Sequence, residues 1–129
     1  MRILQLIDSL EAGGAERMAV NYANALQKKL GFSALCTTRE EGQLKAMLSP
    51  EVGYLFLGKK KALDFKAILK LRSYVKKNKI EFIHAHSSSF FTAVLLKNEP
   101  VWISEIWAIF KPLKAEGKPL IFRGICSTV

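Results

Sequence analysis

Gly13 and Gly14 stand side by side between a short apolar run and a long helical pattern, in the segment Asp8-Ser-Leu-Glu-Ala-Gly-Gly-Ala-Glu-Arg17. A helix N-terminus carries unpaired N–H groups and a partial positive charge, so a phosphate or carboxylate docks there favourably. Glycines at that point leave no Cβ to hold a ligand away from the backbone. A plain tight turn accounts for the spacing equally well. Two nucleotide motifs are excluded: the next glycine after Gly14 is Gly31, which rules out G-x-G-x-x-G, and no G-x-x-x-x-G-K-[ST] occurs.

A second group lies at His84-Ala-His86-Ser-Ser-Ser89. On a strand, alternate residues share a face, so Ile80, Phe82, His84 and His86 point one way. His86 falls at the carboxyl end, where it can contact a ligand or pack structurally; His84 reads as a core histidine. A metal site built on His-x-His needs carboxylate or cysteine partners that this pattern lacks. Ser87, Ser88 and Ser89 can cap a following helix or offer hydroxyls to a sugar or phosphate. A third group is basic: Lys59, Lys60 and Lys61 precede a helical pattern bearing Lys66, Lys70 and Lys77. A solvated helix face explains these lysines, and electrostatic attachment to an anionic membrane is the functional alternative. Nucleic acid is disfavoured, because no aromatic residues interleave with the lysines to stack bases. Asp8 and Asp64 are the only aspartates, so no Asp-x-Asp metal–diphosphate motif exists.

The elements that must position these residues alternate along the chain. Ile3–Ile7 is a nearly continuous apolar run, as expected of a strand buried on both faces of a parallel sheet. Met18, Tyr22, Leu26 and Leu30, with Ala19, Ala23 and Ala25 between them, predict the buried face of a helix that ends at Gly31. Phe32–Thr38 reads as a second strand, Glu41–Leu48 as a short helix and Val52–Leu57 as a third strand. Asp64 is placed to N-cap a helix over 65–78, and Ile80–His86 is a fourth strand followed by a helix reaching Lys97. Beyond it, a helix over Glu99–Lys114 with Leu120-Ile121-Phe122 as fifth strand competes with Val101-Trp102-Ile103 as that strand. The expected fold is α/β, a Rossmann-like parallel sheet of four to five strands with helices on both faces.

Composition agrees with one domain. The chain has 129 residues, half of them hydrophobic, enough for a single core. Its two cysteines, Cys36 and Cys126, lack metal-type spacing and read as buried thiols in a reducing compartment. The N-terminus lacks the features of a signal peptide, and no apolar run approaches the ~20 residues of a membrane span. A cytoplasmic chain, peripheral at most to the inner membrane face, is expected. The net charge of +9 favours anionic partners.

Residues 1–17 with His-Ala-His-Ser-Ser at 84–88 resemble the N-terminal part of the family 4 glycosyltransferases of GT-B fold, strand by strand over about residues 1–97. The resemblance implies the acceptor-side domain of a retaining, metal-independent transferase that uses a nucleotide sugar as donor substrate and no other cofactor. Such enzymes often serve capsule, exopolysaccharide or lipopolysaccharide synthesis. By motif match, Gly13 and Gly14 correspond to the loop facing the donor diphosphate, and His86 with Ser87 to the cleft wall, where a sugar or lipid-linked acceptor binds. The donor-binding half, with its Glu-x7-Glu element, has no counterpart here, and residues 98–129 diverge. A truncated product, inactive alone, is therefore expected, or one partnered by a separate donor-domain chain. The competing reading is a non-catalytic membrane-anchoring or acceptor-binding subunit of a split enzyme, with Lys59, Lys60, Lys61, Lys66 and Lys70 meeting the membrane. A small nucleotide- or phosphosugar-binding protein is a third.

Overall fold

In the computed structural model, residues 1–96, 99, 101–105 and 121–123 are described. Six strands, all parallel, form one sheet in the order β3-β2-β1-β4-β5-β6. They are β1 (Ile3–Ile7), β2 (Ser33–Thr37), β3 (Gly53–Phe56), β4 (Phe82–Ala85), β5 (Trp102–Glu105) and β6 (Ile121–Arg123). Three α-helices are described, α1 (Gly14–Leu30), α2 (Phe65–Lys77) and α3 (Phe90–Val94), with 3-10 turns at Gln43–Met47 and Ser87–Ser89. This is the Rossmann-like α/β arrangement expected, with one strand more than the sequence suggested. The two segments weighed as alternatives for the fifth strand both join the sheet. The helix expected from Glu99 gives way to β5 at 102–105, and its remainder lies outside the described residues.

Alternation along the strands divides the core. Leu4, Leu6, Ala34, Cys36, Ile83 and Ala85 face one way, against Ala67, Leu71 and Val75 of α2 and Ala93 of α3. Ile7 and Leu35 face the other way, against Ala19, Val20 and Ala23 of α1. Every residue of β1 and β2 is buried, because neighbouring strands cover their edges and helices cover both faces. Buried Glu99 pairs with Arg72 at 2.7 Å and Lys76 at 3.4 Å, fastening α2 to the chain entering β5.

The buried stripe of α1 differs from the expected one. Ala19, Val20 and Ala23 are buried, whereas Met18 and Ala25 are exposed and Tyr22, Leu26 and Leu30 are only partly covered. Small side chains at the centre of the contact let the helix axis approach the sheet closely, so the larger residues fall to its flanks. The predicted helix after β4 is shorter than expected, a 3-10 turn leading into α3, which ends at Val94.

Capping fixes where the helices begin and end. Asp64 accepts a hydrogen bond from the Ala67 N–H at 3.2 Å, and Gly31 closes α1 in the left-handed conformation at φ 73°. Gly42 has a different reason: a Cβ there would overlap the backbone of Leu10 and Glu11. That close approach holds the loop after β1 against the turn after β2, supported by Leu44 N–H donating to the Leu10 carbonyl at 3.0 Å. Gly42→Ala is therefore expected to lower the unfolding free energy by about 1–3 kcal/mol, read as a reduced urea midpoint.

Candidate functional site

Strand order places a crevice at the carboxyl ends of β1 and β4. The connection from β1 leaves toward β2 on one side, and β4 lies on its other side, so the loops after β1 and β4 diverge. Open α/β sheets bind ligands at such a switch point. The glycine loop follows β1 and the His86–Ser89 segment follows β4. The structure thus brings together the two groups that the sequence singled out, with His86 N–H donating to the Leu6 carbonyl at 2.8 Å.

Asp8 organises this edge. One carboxylate oxygen accepts from the Thr38 hydroxyl at 2.5 Å, and the other accepts from the Ser88 hydroxyl. Its carbonyl accepts the N–H groups of Arg39 and Glu40 at 2.9 and 3.1 Å. One residue thereby ties the loop after β1 to those after β2 and β4. Neither Asp8 nor Thr38 was assigned a site role from the sequence. The available signal was a carboxylate placed immediately after a buried strand in a chain with two aspartates.

Gly13 is the N-cap of α1, in extended conformation, and offers no side chain to cap the helix. The Glu16 carboxylate folds back toward it, lying where a Cβ of Gly13 would stand; an anion there is favoured by the helix dipole. Gly14 begins the helix, and a Cβ on it would meet nothing within 4 Å. Neither glycine needs a positive φ. Gly31 and Gly58 do, and Gly42 and Gly53 are held by close neighbours. Gly14 alone of the described glycines has neither conformation nor packing to explain it, and its outer side is open to an approaching ligand.

His86 is fully buried at the end of β4, not on the surface. Its Nε2–H donates to Gln5 Oε1 at 2.8 Å, which leaves Nδ1 as the ring's acceptor. That Nδ1 and the Gln5 amide nitrogen have no hydrogen-bond partner among the described residues. The rings of His84 and His86 lie with centroids 4.6 Å apart, tilted by 42°, and the Tyr22 ring of α1 lies 5.7 Å from that of His84. The shared face predicted for the two histidines therefore exists, under α1. Gln5, also missed, was visible as the lone polar residue of β1. Ser87 is exposed and takes the left-handed conformation at φ 55°, a cost of about 1–2 kcal/mol for a residue with a Cβ. Ser89 is buried and donates to the Leu6 carbonyl at 2.7 Å.

Both imidazoles are neutral. Burial lowers His84 to about 4, and burial, then the neighbouring His84, lowers His86 to about 3. Cys36 is likewise inert, its thiol pushed far up by burial; Cys126 lies outside the described residues. Among the described residues, no group of three or more His, Cys, Asp or Glu is arranged to hold a metal ion. None of their helices is long and apolar enough to cross a membrane.

A parallel α/β sheet with a glycine turn after β1 and a serine segment after the neighbouring β4 defines a Rossmann-like unit. Comparison with protein families matches the family described as Glycosyltransferase Family 4 over residues 12–104, a span that includes Gly13, Gly14 and the His86–Ser89 segment. The chain belongs to this glycosyltransferase family. A search of curated proteins finds no match.

The depressed histidine pKa values have a thermodynamic sign. Unfolding releases both imidazoles to an ordinary value of about 6.5, so below that pH the unfolded chain binds protons that the folded chain refuses. Stability is complete above about 6.5 and declines as the pH falls toward 4, by up to about 1.4 kcal/mol per pH unit for each histidine. The melting temperature is expected to drop over that window, while the imidazole NMR signals of the folded protein stay constant between about pH 8 and 5. A histidine midpoint near 6.5 in the folded state would contradict the burial argument.

Proposed function

We propose that this chain is the acceptor-side domain of a retaining, nucleotide-sugar-dependent glycosyltransferase of capsule, exopolysaccharide or lipopolysaccharide synthesis. It works in the cytoplasm, at the inner face of the membrane. The observation that carries the reading is Gly14: an open glycine at a helix N-terminus, on the crevice of a chain that belongs to this family. In this reading the first-turn N–H groups of α1, from Gly13 and Gly14 onward, receive the donor diphosphate, and Glu16 swings away to admit it. Ser87 presents its hydroxyl to a sugar or lipid-linked acceptor, and the neutral His86 sits behind it as an uncharged wall. These residues bind and orient; a sugar donor needs a facing surface as well, supplied by a donor-binding domain or a separate chain carrying one. One wall alone cannot hold both reactants in register, so residues 1–129 by themselves are inactive.

A second reading, a non-catalytic anchoring or acceptor-binding subunit of a split transferase, is favoured by the lysine-rich segment 59–70 and differs only in which chain supplies the chemistry. Purified residues 1–129 are expected to give no product with any nucleotide sugar, and to gain transfer on mixing with a donor-binding domain. Robust transfer by residues 1–129 alone overturns the single-wall reading.

In the complemented enzyme, Gly14→Ala is expected to lower kcat/KM by about tenfold or more, because its methyl intrudes on the diphosphate path. Its melting temperature should be unchanged or raised, since alanine meets no neighbour and favours the helix. Unchanged kcat/KM removes the glycine turn from the site.

A further inference from the structure

Three large apolar side chains stand out in water within seven residues of one another. Leu63, Phe65 and Leu69 are 62%, 75% and 61% exposed, although the helix they border has a well-formed buried face of Ala67, Leu71 and Val75. Phe65 and Leu69 are one turn apart and form a stripe on the outer side of α2, with Lys66 and Lys70 beside it. Single exposed apolar residues are ordinary, but three within one short segment, with cations among them, mark a contact surface. We propose that the segment from Lys59 to Lys70 docks this domain onto an anionic lipid bilayer. Leu63, Phe65 and Leu69 enter the headgroup–acyl boundary, and Lys60, Lys61 and Lys66 bind lipid phosphates.

The charges favour a bilayer over another protein. Lysine is depleted at protein–protein interfaces, yet five lysines lie in these twelve residues. Lys59 and Lys70 serve the fold, donating to Thr92 Oγ1 at 2.8 Å and to the Phe56 carbonyl at 2.5 Å. The ammonium groups of Lys60, Lys61 and Lys66 enter no hydrogen bond or ion pair among the described residues. Asp64 is the one acid of the segment, and its carboxylate is engaged by the N–H groups of Ala67 and Lys60. The surface therefore presents positive charge around apolar side chains, the composition of a helix that lies in a membrane interface.

Its position agrees. A helix following a parallel strand starts at the carboxyl edge of the sheet, so Phe65 opens α2 on the same edge as the glycine turn. The bond from Lys59 to Thr92 brings the loop to α3, whose Phe91 is 75% exposed. This placement deepens the transferase reading and rests on it in one respect: a lipid-linked acceptor would reach the crevice without leaving the bilayer. Docking itself needs neither donor nor transfer, so its test is separate.

The full 129-residue chain is sedimented with vesicles of phosphatidylglycerol and phosphatidylcholine, and with phosphatidylcholine alone. It is expected to pellet with the anionic vesicles and stay in solution with the neutral ones. The double variant Phe65→Ser/Leu69→Ser should weaken vesicle affinity by about tenfold or more, with its circular dichroism unchanged. Phe65→Trp should keep the affinity and add a blue-shifted emission only when anionic vesicles are present. The proposal is overturned if the chain does not pellet with anionic vesicles. It is equally overturned if the double variant pellets like the parent, or if Phe65→Trp shows no shift. A double variant that breaks up a homodimer while vesicle binding persists assigns the patch to a second copy and overturns it as well.

Discussion

The carboxylate of Asp8 is the point on which the arrangement of the crevice depends. A parallel sheet delivers all its strand ends to one edge, but nothing in the ladder itself fixes the loops that leave there. Here a single side chain spans β1's own loop, the Thr38 hydroxyl and the Ser88 hydroxyl, while its carbonyl collects two further N–H groups. Hydrogen bonds to an ionised acceptor are worth more than neutral ones, about 1.5–3 kcal/mol each. The glycine turn, five residues further on, inherits its position from this junction. So does Ser87, held in its left-handed conformation beside Ser88.

Against that frame the glycines separate by cause. Four of the six described answer to internal demands: a positive φ at Gly31 and Gly58, close neighbours at Gly42 and Gly53. Gly13 is crowded only by the mobile end of Glu16, and Gly14 by nothing. The residues gathered at this edge offer oriented dipoles more than titrating groups. Both histidines are held uncharged, and Cys36 is sealed in the core as a thiol. Proton transfer from these groups near neutral pH has no support in their surroundings.

Much of this was legible in the amino-acid order, and the failures have physical causes. β1 and β2 were readable because a doubly covered strand must be apolar throughout, and α2 because Asp64 caps it and Ala67, Leu71 and Val75 recur on one face. The glycine and histidine segments were recognisable, and their adjacency needed only that β1 and β4 pair. The stripe of α1 was misassigned because size was weighted over spacing: alanines form the contact precisely where the backbone comes closest. β5 was hidden because Trp102, Ile103 and the apolar residues after them fit a helical period as well as a strand. Thr38 and Gln5 escaped because their roles arise from partners 30 and 81 positions away, a distance at which local pattern carries no information.

The strand order also has a consequence for how the chain is made. β1 is central in the sheet yet leaves the ribosome before both of its neighbours. Its first neighbour, β2, follows within about thirty residues, but its second edge is covered only when Phe82–Ala85 emerges. At about 5–20 residues per second, that edge waits roughly 4–16 seconds with its amides and carbonyls unpaired. During this interval β3, β2 and β1 can pair with α1 on one face, while the cover that α3 adds to the other face is still to come. The nascent half-sheet is thus the stage at which a chaperone, or a misplaced strand from another chain, would find this protein.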